Sequence, residues 1–116
     1  MKKIQLGAII AILVLMNKLV VAATFNVPAD AATIQAAIDM AQSGDTIVLS
    51  PGAYFETIDY SGKELSVTSS QGPLATTIDS SSSGGSIVTV ANGEGPLTSL
   101  SGVTLILGAA TYGGAI

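Results

Sequence analysis

Apolar and polar residues alternate in short stretches along most of this chain, and a single stretch has the spacing of a helix. Its apolar residues recur at intervals of three and four: Ile34, Ala37, Ile38 and Ala41. This spacing predicts a short amphipathic helix over about 33–42. We expect Asp30 or Thr33 to accept hydrogen bonds from the free amides at its start, and Gly44 to end it in a left-handed conformation.

From Asp45 onward, the alternation has the period of β-strands. The predicted strands lie at 46–49, 54–60, 64–68, 76–79, 86–90 and 103–107. Short stretches rich in Gly, Pro, Ser and Asn separate the predicted strands and indicate turns. The four serines at 80–83 are interpreted as such a turn and not as nucleophiles, because no general base accompanies them.

The spacing of aliphatic pairs favours a coil of about three short strands per turn over an antiparallel sandwich. The pairs are Ile47/Leu49, Leu65/Val67, Val88/Val90 and Val103/Leu105, at intervals of 18, 23 and 15 residues. We expect each pair to stack on the one before, about 4.8 Å away, and residues 24–116 to form about four coils. The helix would then cover the open edge of the first coil with Ile34 and Ile38.

Residues 1–23 differ from the rest of the chain and predict a secretory signal peptide. Lys2 and Lys3 precede eleven apolar residues at 6–16, and Val21-Ala22-Ala23 offers small residues for cleavage. The alternative is a retained membrane anchor, but eleven residues span about 16 Å of helix against about 30 Å of hydrocarbon. We therefore expect export to the cell surface or the extracellular space, with no stable membrane span after the signal is removed.

Composition limits the chemistry of this 116-residue chain, which is long enough for one modest domain. An apolar content of 48% excludes disorder throughout, and the absence of Cys and His excludes thiolate and imidazole sites. Beyond residue 23, Lys63 is the only base against eight acids, a net charge of 1 − 8 = −7. This charge repels phosphate backbones, so we expect no nucleic-acid partner.

The remaining candidate residues each have a catalytic or binding interpretation and a structural one. Asp59 and Asp79 could bind calcium or act as the carboxylate pair of a glycosidase, but we favour their interpretation as solvated acids in turns. Glu56 shares strand parity with inward residues and is expected to bind backbone under the helix rather than to catalyse. Tyr54 and Tyr60 are expected to fill the core rather than to stack on sugars. We predict no catalytic, cofactor-binding or metal-binding residue.

Several stretches together resemble the amino-terminal part of pectin-lyase-like proteins. They are Ala32-Thr33-Ile34-Gln35-Ala36-Ala37-Ile38, Gly44-Asp45-Thr46-Ile47-Val48-Leu49, Pro51-Gly52-Ala53-Tyr54, Glu56 and Thr77-Ile78-Asp79. The resemblance implies an all-β, right-handed parallel β-helix with a short capping helix. That superfamily includes polysaccharide lyases, hydrolases and pectin esterases, and Gly52-Ala53-Tyr54-Phe55-Glu56 is similar to an early stretch of the esterases. In those enzymes, the resemblance implies, the catalytic carboxylates and arginine lie on later coils.

The end of the chain is similar to the Gly-Gly-Ala-Ile repeat of polymorphic outer-membrane proteins, at residues 113–116. It stops where another strand would begin, so we expect an amino-terminal fragment of a longer protein, or an open end that pairs with a partner. The predicted function is an exported, non-catalytic scaffold that presents loops to carbohydrate or cell-envelope components, as in adhesion. The alternative is a fragment of a polysaccharide-active enzyme whose active site lies beyond Ile116.

Overall fold

A computed structural model describes residues 21–107, which form a parallel β-solenoid of about three turns with one short helix. The elements of this part of the chain, in order, are β1 (Thr24–Val27), α1 (Ile34–Met40), β2 (Thr46–Leu49), β3 (Gly52–Tyr54), β4 (Ile58–Asp59), β5 (Ser66–Ser69), β6 (Thr76–Asp79), β7 (Val88–Thr89), β8 (Ser99–Ser101) and β9 (Thr104–Ile106). Most of the predicted signal peptide, residues 1–20, and the Gly-Gly-Ala-Ile stretch lie outside the described residues. None of the described helices is long and apolar enough to cross a bilayer.

The strands form three sheets, and every pair of neighbouring strands is parallel. The first sheet has the order β1-β2-β5-β8, the second β3-β6-β9 and the third β4-β7. Because neighbours in a sheet come from successive turns, each turn of the chain contributes one strand to each sheet that it crosses. The prediction of a parallel coil in place of an antiparallel sandwich is confirmed.

The interior consists of side chains stacked in register along each sheet. In the first sheet the stack is Phe25, Ile47, Val67 and Leu100. In the second it is Tyr54, Ile78 and Leu105, and in the third Ile58 and Val88. Ile47, Val67, Ile78, Ile58 and Val88 are buried, so the column of aliphatic side chains forms the core as predicted.

The prediction of which residues stack on each other in that column was partly wrong. Val88 stacks on Ile58 in the third sheet, and Leu105 on Ile78 in the second, instead of both following Val67. The turns differ in length, since Thr46 pairs with Ser66 twenty residues later, whereas Ser66 pairs with Ser99 after 33. Equal spacing along the sequence therefore does not identify equivalent strands. The described residues give about three turns, where four were expected over 24–116.

Several predicted boundaries also need correction. The predicted strand at 54–60 is two strands, β3 and β4, with a corner at 55–57. Gly52, which lies between two predicted strands, begins β3. Strands β1 and β8 were not predicted: β8 has one inward apolar residue, Leu100, whereas β1 has two, Phe25 and Val27, in a stretch that precedes the helix. The helix ends at Met40 with Ala41 as its cap, so Gly44, at φ +99°, lies in the loop beyond it.

Helix α1 covers the first turn of the solenoid. Its N-cap is Thr33, whose Oγ1 accepts from the amide of Ala36, as one of the two predicted caps. Ile34 and Ile38 are fully buried, and the helix contacts β1, β2 and β4. The prediction that these residues cover the first coil is confirmed.

Two side chains of the cap region bind strand edges that have no neighbouring strand within residues 21–107. The amide of Gln35 donates from Nε2 to the Asp59 carbonyl at 3.0 Å and accepts at Oε1 from the Asp59 amide at 2.8 Å. On β1, the Asp30 carboxylate accepts from the Asn26 amide, and the Asp30 amide donates to the Asn26 carbonyl. On both strand edges, the free backbone N–H and C=O groups therefore form the hydrogen bonds that a neighbouring strand would otherwise supply.

Both ends of the helix bind charged residues from the coil beneath. The Glu56 carboxylate accepts from the amides of Ile34 and Gln35, at 3.0 and 2.9 Å. The Lys63 ammonium donates to the carbonyls of Ile38 and Asp39, at 2.7 and 3.0 Å. A negative charge at the start of a helix and a positive charge at its end both interact favourably with the helix dipole and stabilise the helix. The prediction that Glu56 binds backbone at the helix is confirmed.

Replacing Glu56 tests whether this cap stabilises the whole solenoid. We expect Glu56→Ala to lower the free energy of unfolding by about 1–3 kcal/mol, because two helix amides lose a charged acceptor. Urea denaturation followed by circular dichroism measures the change. The control is Asp39→Ala, an exposed carboxylate on the same helix, which should change stability by less than about 0.5 kcal/mol. Equal stability of the Glu56→Ala variant and the parent would contradict the account.

Candidate functional site

The carboxylates that suggested chemistry in the sequence are mostly bound to backbone amides. Seven of the eight acids accept at least one hydrogen bond from a main-chain N–H: Asp30, Asp45, Glu56, Asp59, Glu64, Asp79 and Glu94. The eighth, Asp39, accepts from the side chain of Gln35. The acidic residues thus act mainly as hydrogen-bond acceptors for backbone amides in the turns and caps of the solenoid.

Asp59 and Asp79 illustrate this use, since each closes its own turn. Asp59 accepts from the amide of Ser61 and Asp79 from the amide of Ser81, both at 2.8 Å. The side-chain and backbone hydrogen bonds of Ser81 hold the pKa of Asp79 below its usual value. Within residues 21–107, no three acids gather as a metal-binding group. The hydrogen bonds of Asp59 to Ser61 and of Asp79 to Ser81 fit the interpretation of both residues as turn acids.

The two tyrosines lie in the core with their hydroxyls bound to backbone. Tyr60 is buried and donates to the Ser99 carbonyl at 2.7 Å, and its burial raises the pKa of the hydroxyl. Tyr54 is half-buried and donates to the Ser50 carbonyl at 2.6 Å. Burial and then the charge of Glu56 raise the pKa of Tyr54. Tyr60 belongs to the core and Tyr54 packs against it, in line with the prediction that both fill the core.

The serine stretch at 80–83 is only partly the turn that was predicted. Ser81 to Ser83 form the turn, but Ser80 is 1% exposed and continues the inward positions of β6. Its hydroxyl and that of Thr76 have no hydrogen-bond partner among the described residues. Strand parity explains the correction, because Thr76, Ile78 and Ser80 all face inward.

Asp45 has the most enclosed carboxylate described, at 7% exposure. Its Oδ1 accepts from the amide of Ala23 and its Oδ2 from the amide of Gln42, each at 2.8 Å. These two hydrogen bonds lower the pKa of Asp45, with a smaller contribution from the Lys63 charge. The residue therefore ties the start of β1 to the loop after the helix.

Glu64 and Glu94 hold the long segment between β7 and β8. Glu94 accepts from the amides of Gly62 and Asn92, and Glu64 accepts from the amide of Leu97. The hydrogen bond from Gly62 is the main reason that the pKa of Glu94 lies below its usual value. These contacts position the extra residues that lengthen the last described turn.

The outer side of the first sheet is a neutral surface on which six of eight residues carry a hydroxyl, and we call it the hydroxyl face. One row consists of Thr24, Thr46, Ser66 and Ser99, and the other of Asn26, Val48, Thr68 and Ser101. These residues are exposed or half-buried, and they alternate with the buried positions of the same strands. Hydroxyls of adjacent turns bind each other, Ser99 to Ser66 and Ser101 to Thr68, both at 3.1 Å.

Two cavities of the solenoid border the hydroxyl face, one at Ser99 and one at Ser66. The larger, about 360 Å³, is lined mainly by apolar atoms of Tyr60, Val88, Val90 and Leu100 and adjoins the last described turn. The smaller, about 200 Å³, lies among Gly44, Asp45, Glu64, Ser66 and Leu97. Neither brings together an acid and a base free of backbone contacts.

The sequence interpretation did not identify the hydroxyl face. A signal was present in Thr46 and in Ser66 and Thr68, which occupy alternate positions with the inward residues Ile47 and Val67. The third set, Ser99 and Ser101, flanks a single leucine, and its register depends on a loop of unpredictable length. The face therefore becomes visible only when the strands are paired.

The pH dependence of stability tests the contacts of Asp45. A lowered pKa contributes stability that is present above the ordinary value of 3.8 and is lost as the pH falls through the folded-state pKa. We expect the difference in unfolding free energy between the parent and Asp45→Asn to shrink between about pH 6 and pH 2.5. Urea titrations at each pH measure this difference. The control Val48→Ala, a neutral change on the adjacent strand, should give a difference that does not vary with pH; a constant Asp45 difference would contradict the assignment.

Comparisons with protein-family models, with curated proteins and with solved structures find no match for this chain.

Proposed function

We propose that this chain is an exported, non-catalytic β-helical scaffold that binds a neutral carbohydrate polymer at the cell surface or outside the cell, through its hydroxyl face. The observation that carries the proposal is the parallel pairing that aligns hydroxyl-bearing residues of four neighbouring strands on the outer side of the first sheet. The sequence predicted presentation by loops. We favour the sheet because the acids of the loops are occupied by backbone amides.

The geometry of the hydroxyl face suits a repeating ligand. Parallel strands lie about 4.8 Å apart and alternate residues of a strand about 6.6 Å apart, so the rows form a regular array. Hydroxyls both donate and accept, and those that bind each other, such as Ser66 and Ser99, retain further capacity for a ligand. A polysaccharide presents the same kind of group at regular intervals.

Charge favours a neutral polymer over an acidic one. The two rows of the face contain no ionisable side chain. Residues 24–116 carry a net charge of 1 − 8 = −7, which disfavours polyuronates and other anionic chains at low ionic strength. We therefore expect glucans or chitin-like polymers to bind better than polygalacturonate.

The positions of the ionisable groups support a non-catalytic role for the described residues. Glu56 and Lys63 bind the helix ends, and Asp59 and Asp79 close turns. The kinship to pectin-lyase-like proteins is part of the proposal, supported by the capping-helix and β2 stretches that carry the resemblance. Under the enzyme alternative, the active site lies beyond Ile116.

Binding to insoluble polysaccharides tests the proposal. Purified exported protein is mixed with cellulose, chitin and cross-linked polygalacturonate, and the bound fraction is measured by sedimentation. We expect binding to a neutral polymer that falls at least about fivefold for Thr68→Lys, because a long charged side chain then covers the centre of the face. Absence of binding to all neutral polymers would contradict the proposal.

The matched control is Thr77→Lys. Thr77 is also a half-buried threonine in the middle strand of a parallel sheet, but it lies on the second sheet. We expect this variant to bind like the parent protein. Equal losses for Thr68→Lys and Thr77→Lys would indicate a non-specific charge effect and would overturn the assignment of the face.

A further inference from the structure

We propose that the signal peptide is cleaved between Ala22 and Ala23, and that the new α-ammonium group of Ala23 binds the carboxylate of Asp45. The proposal rests on the export proposed above and assigns a processing site together with the acceptor for the group that processing creates. It differs by one residue from the boundary that the sequence alone indicated, which removes residues 1–23.

The sequence permits both cuts. Cleavage after Ala23 places Val21 and Ala23 at the third and first positions before the cut. Cleavage after Ala22 places Val20 and Ala22 there. Both cuts place a valine at the third position and an alanine at the first position before the cut. The preference of signal peptidase for small residues therefore does not distinguish between them.

Ala23 is the first residue that the solenoid binds among those described. Its amide donates to Asp45 Oδ1 at 2.8 Å, and its carbonyl accepts from the amide of Thr46 at 2.9 Å. Val21, by contrast, is 86% exposed. A chain that began at Thr24 would lack both Ala23 groups, leaving Asp45 with one backbone donor and the Thr46 amide without its acceptor.

A chain that begins at Ala23 keeps both hydrogen bonds and strengthens one of them. The nitrogen that donates to Asp45 would carry a positive charge, and charge-assisted hydrogen bonds to carboxylates are stronger than neutral ones. The other carboxylate oxygen of Asp45 accepts from the amide of Gln42, which holds the carboxylate beside the Ala23 nitrogen. Residues 24–116 hold one other base, Lys63, whose ammonium binds the carbonyls of Ile38 and Asp39. The new terminus would thus supply positive charge to the carboxylate where the chain otherwise offers little.

The first experiment expresses the full chain in a bacterial host with general secretion and determines the amino terminus of the exported protein by intact mass and Edman sequencing. We expect a protein that begins at Ala23. A first residue of Thr24, or any other cut, overturns this inference while leaving the export proposal intact. A full-length chain that is retained in the cell overturns both.

The second measurement tests the contact with Asp45 on the exported protein. A limiting amount of an acetylating reagent at neutral pH modifies the α-amine only when it is unprotonated, and mass spectrometry gives the rate. We expect the folded protein to react about tenfold more slowly than the same protein in urea, which corresponds to a shift of one pH unit in amine protonation. Equal rates in the folded and unfolded chains overturn the contact.

Asp45→Asn and Asp45→Glu complete the test. The neutral amide should return the folded rate towards that of the unfolded chain, whereas the conservative carboxylate should retain most of the protection. Protection that persists in Asp45→Asn would assign it to burial and overturn the ion pair. The unfolded reference requires no variant, so the test stands even where Asp45→Asn does not fold.

Discussion

Parallel pairing of strands one turn apart is the constraint on which this structure depends. Each inward residue meets its counterpart from the next turn, as Ile47 meets Val67, and each outward residue does the same. Because side chains alternate between faces, a shift of one residue would exchange the aliphatic interior for the hydroxyl-bearing exterior. The same register therefore creates both the core and the surface to which we assign carbohydrate binding.

Pairing leaves strand edges and helix ends whose backbone groups need partners, and this need explains the unusual charge composition. Gln35 and Asp30 bind strand edges, Glu56 and Lys63 bind the helix, and other acids bind the amides of turns. Carboxylates are efficient acceptors for such amides because the hydrogen bonds are charge-assisted. The acids that could suggest catalysis or metal binding in the sequence therefore hold turns, strand edges and the helix. For this reason we assign ligand binding to the neutral outer side of the first sheet.

Local features of the fold were predictable from the sequence, whereas long-range ones were not. The helix follows from the spacing of Ile34 and Ile38. The contact of Glu56 with the helix was predicted from the parity of a single strand over 54–60, although the residue lies in the corner between β3 and β4. The partners of Val88 and Leu105 could not be predicted, because the turns differ in length and register depends on how each loop closes. Ser80 was misassigned because a run of identical polar residues conceals the end of a strand. The role of Lys63 required the position of the helix above the coil, which no local pattern contains.

The register across the longest described turn can be measured directly with paired cysteines, since the chain has none of its own. Ser66 and Ser99 are paired across β5 and β8, so their Cα atoms should lie about 4.8 Å apart, within the range that a disulfide bridges. Ser66 and Ser101 should lie about 8 Å apart, beyond that range. We predict that Ser66→Cys with Ser99→Cys forms an intramolecular disulfide under mild oxidation, detected by mass spectrometry, and that Ser66→Cys with Ser101→Cys does not. Bridging of the second pair in preference to the first would contradict the in-register parallel solenoid.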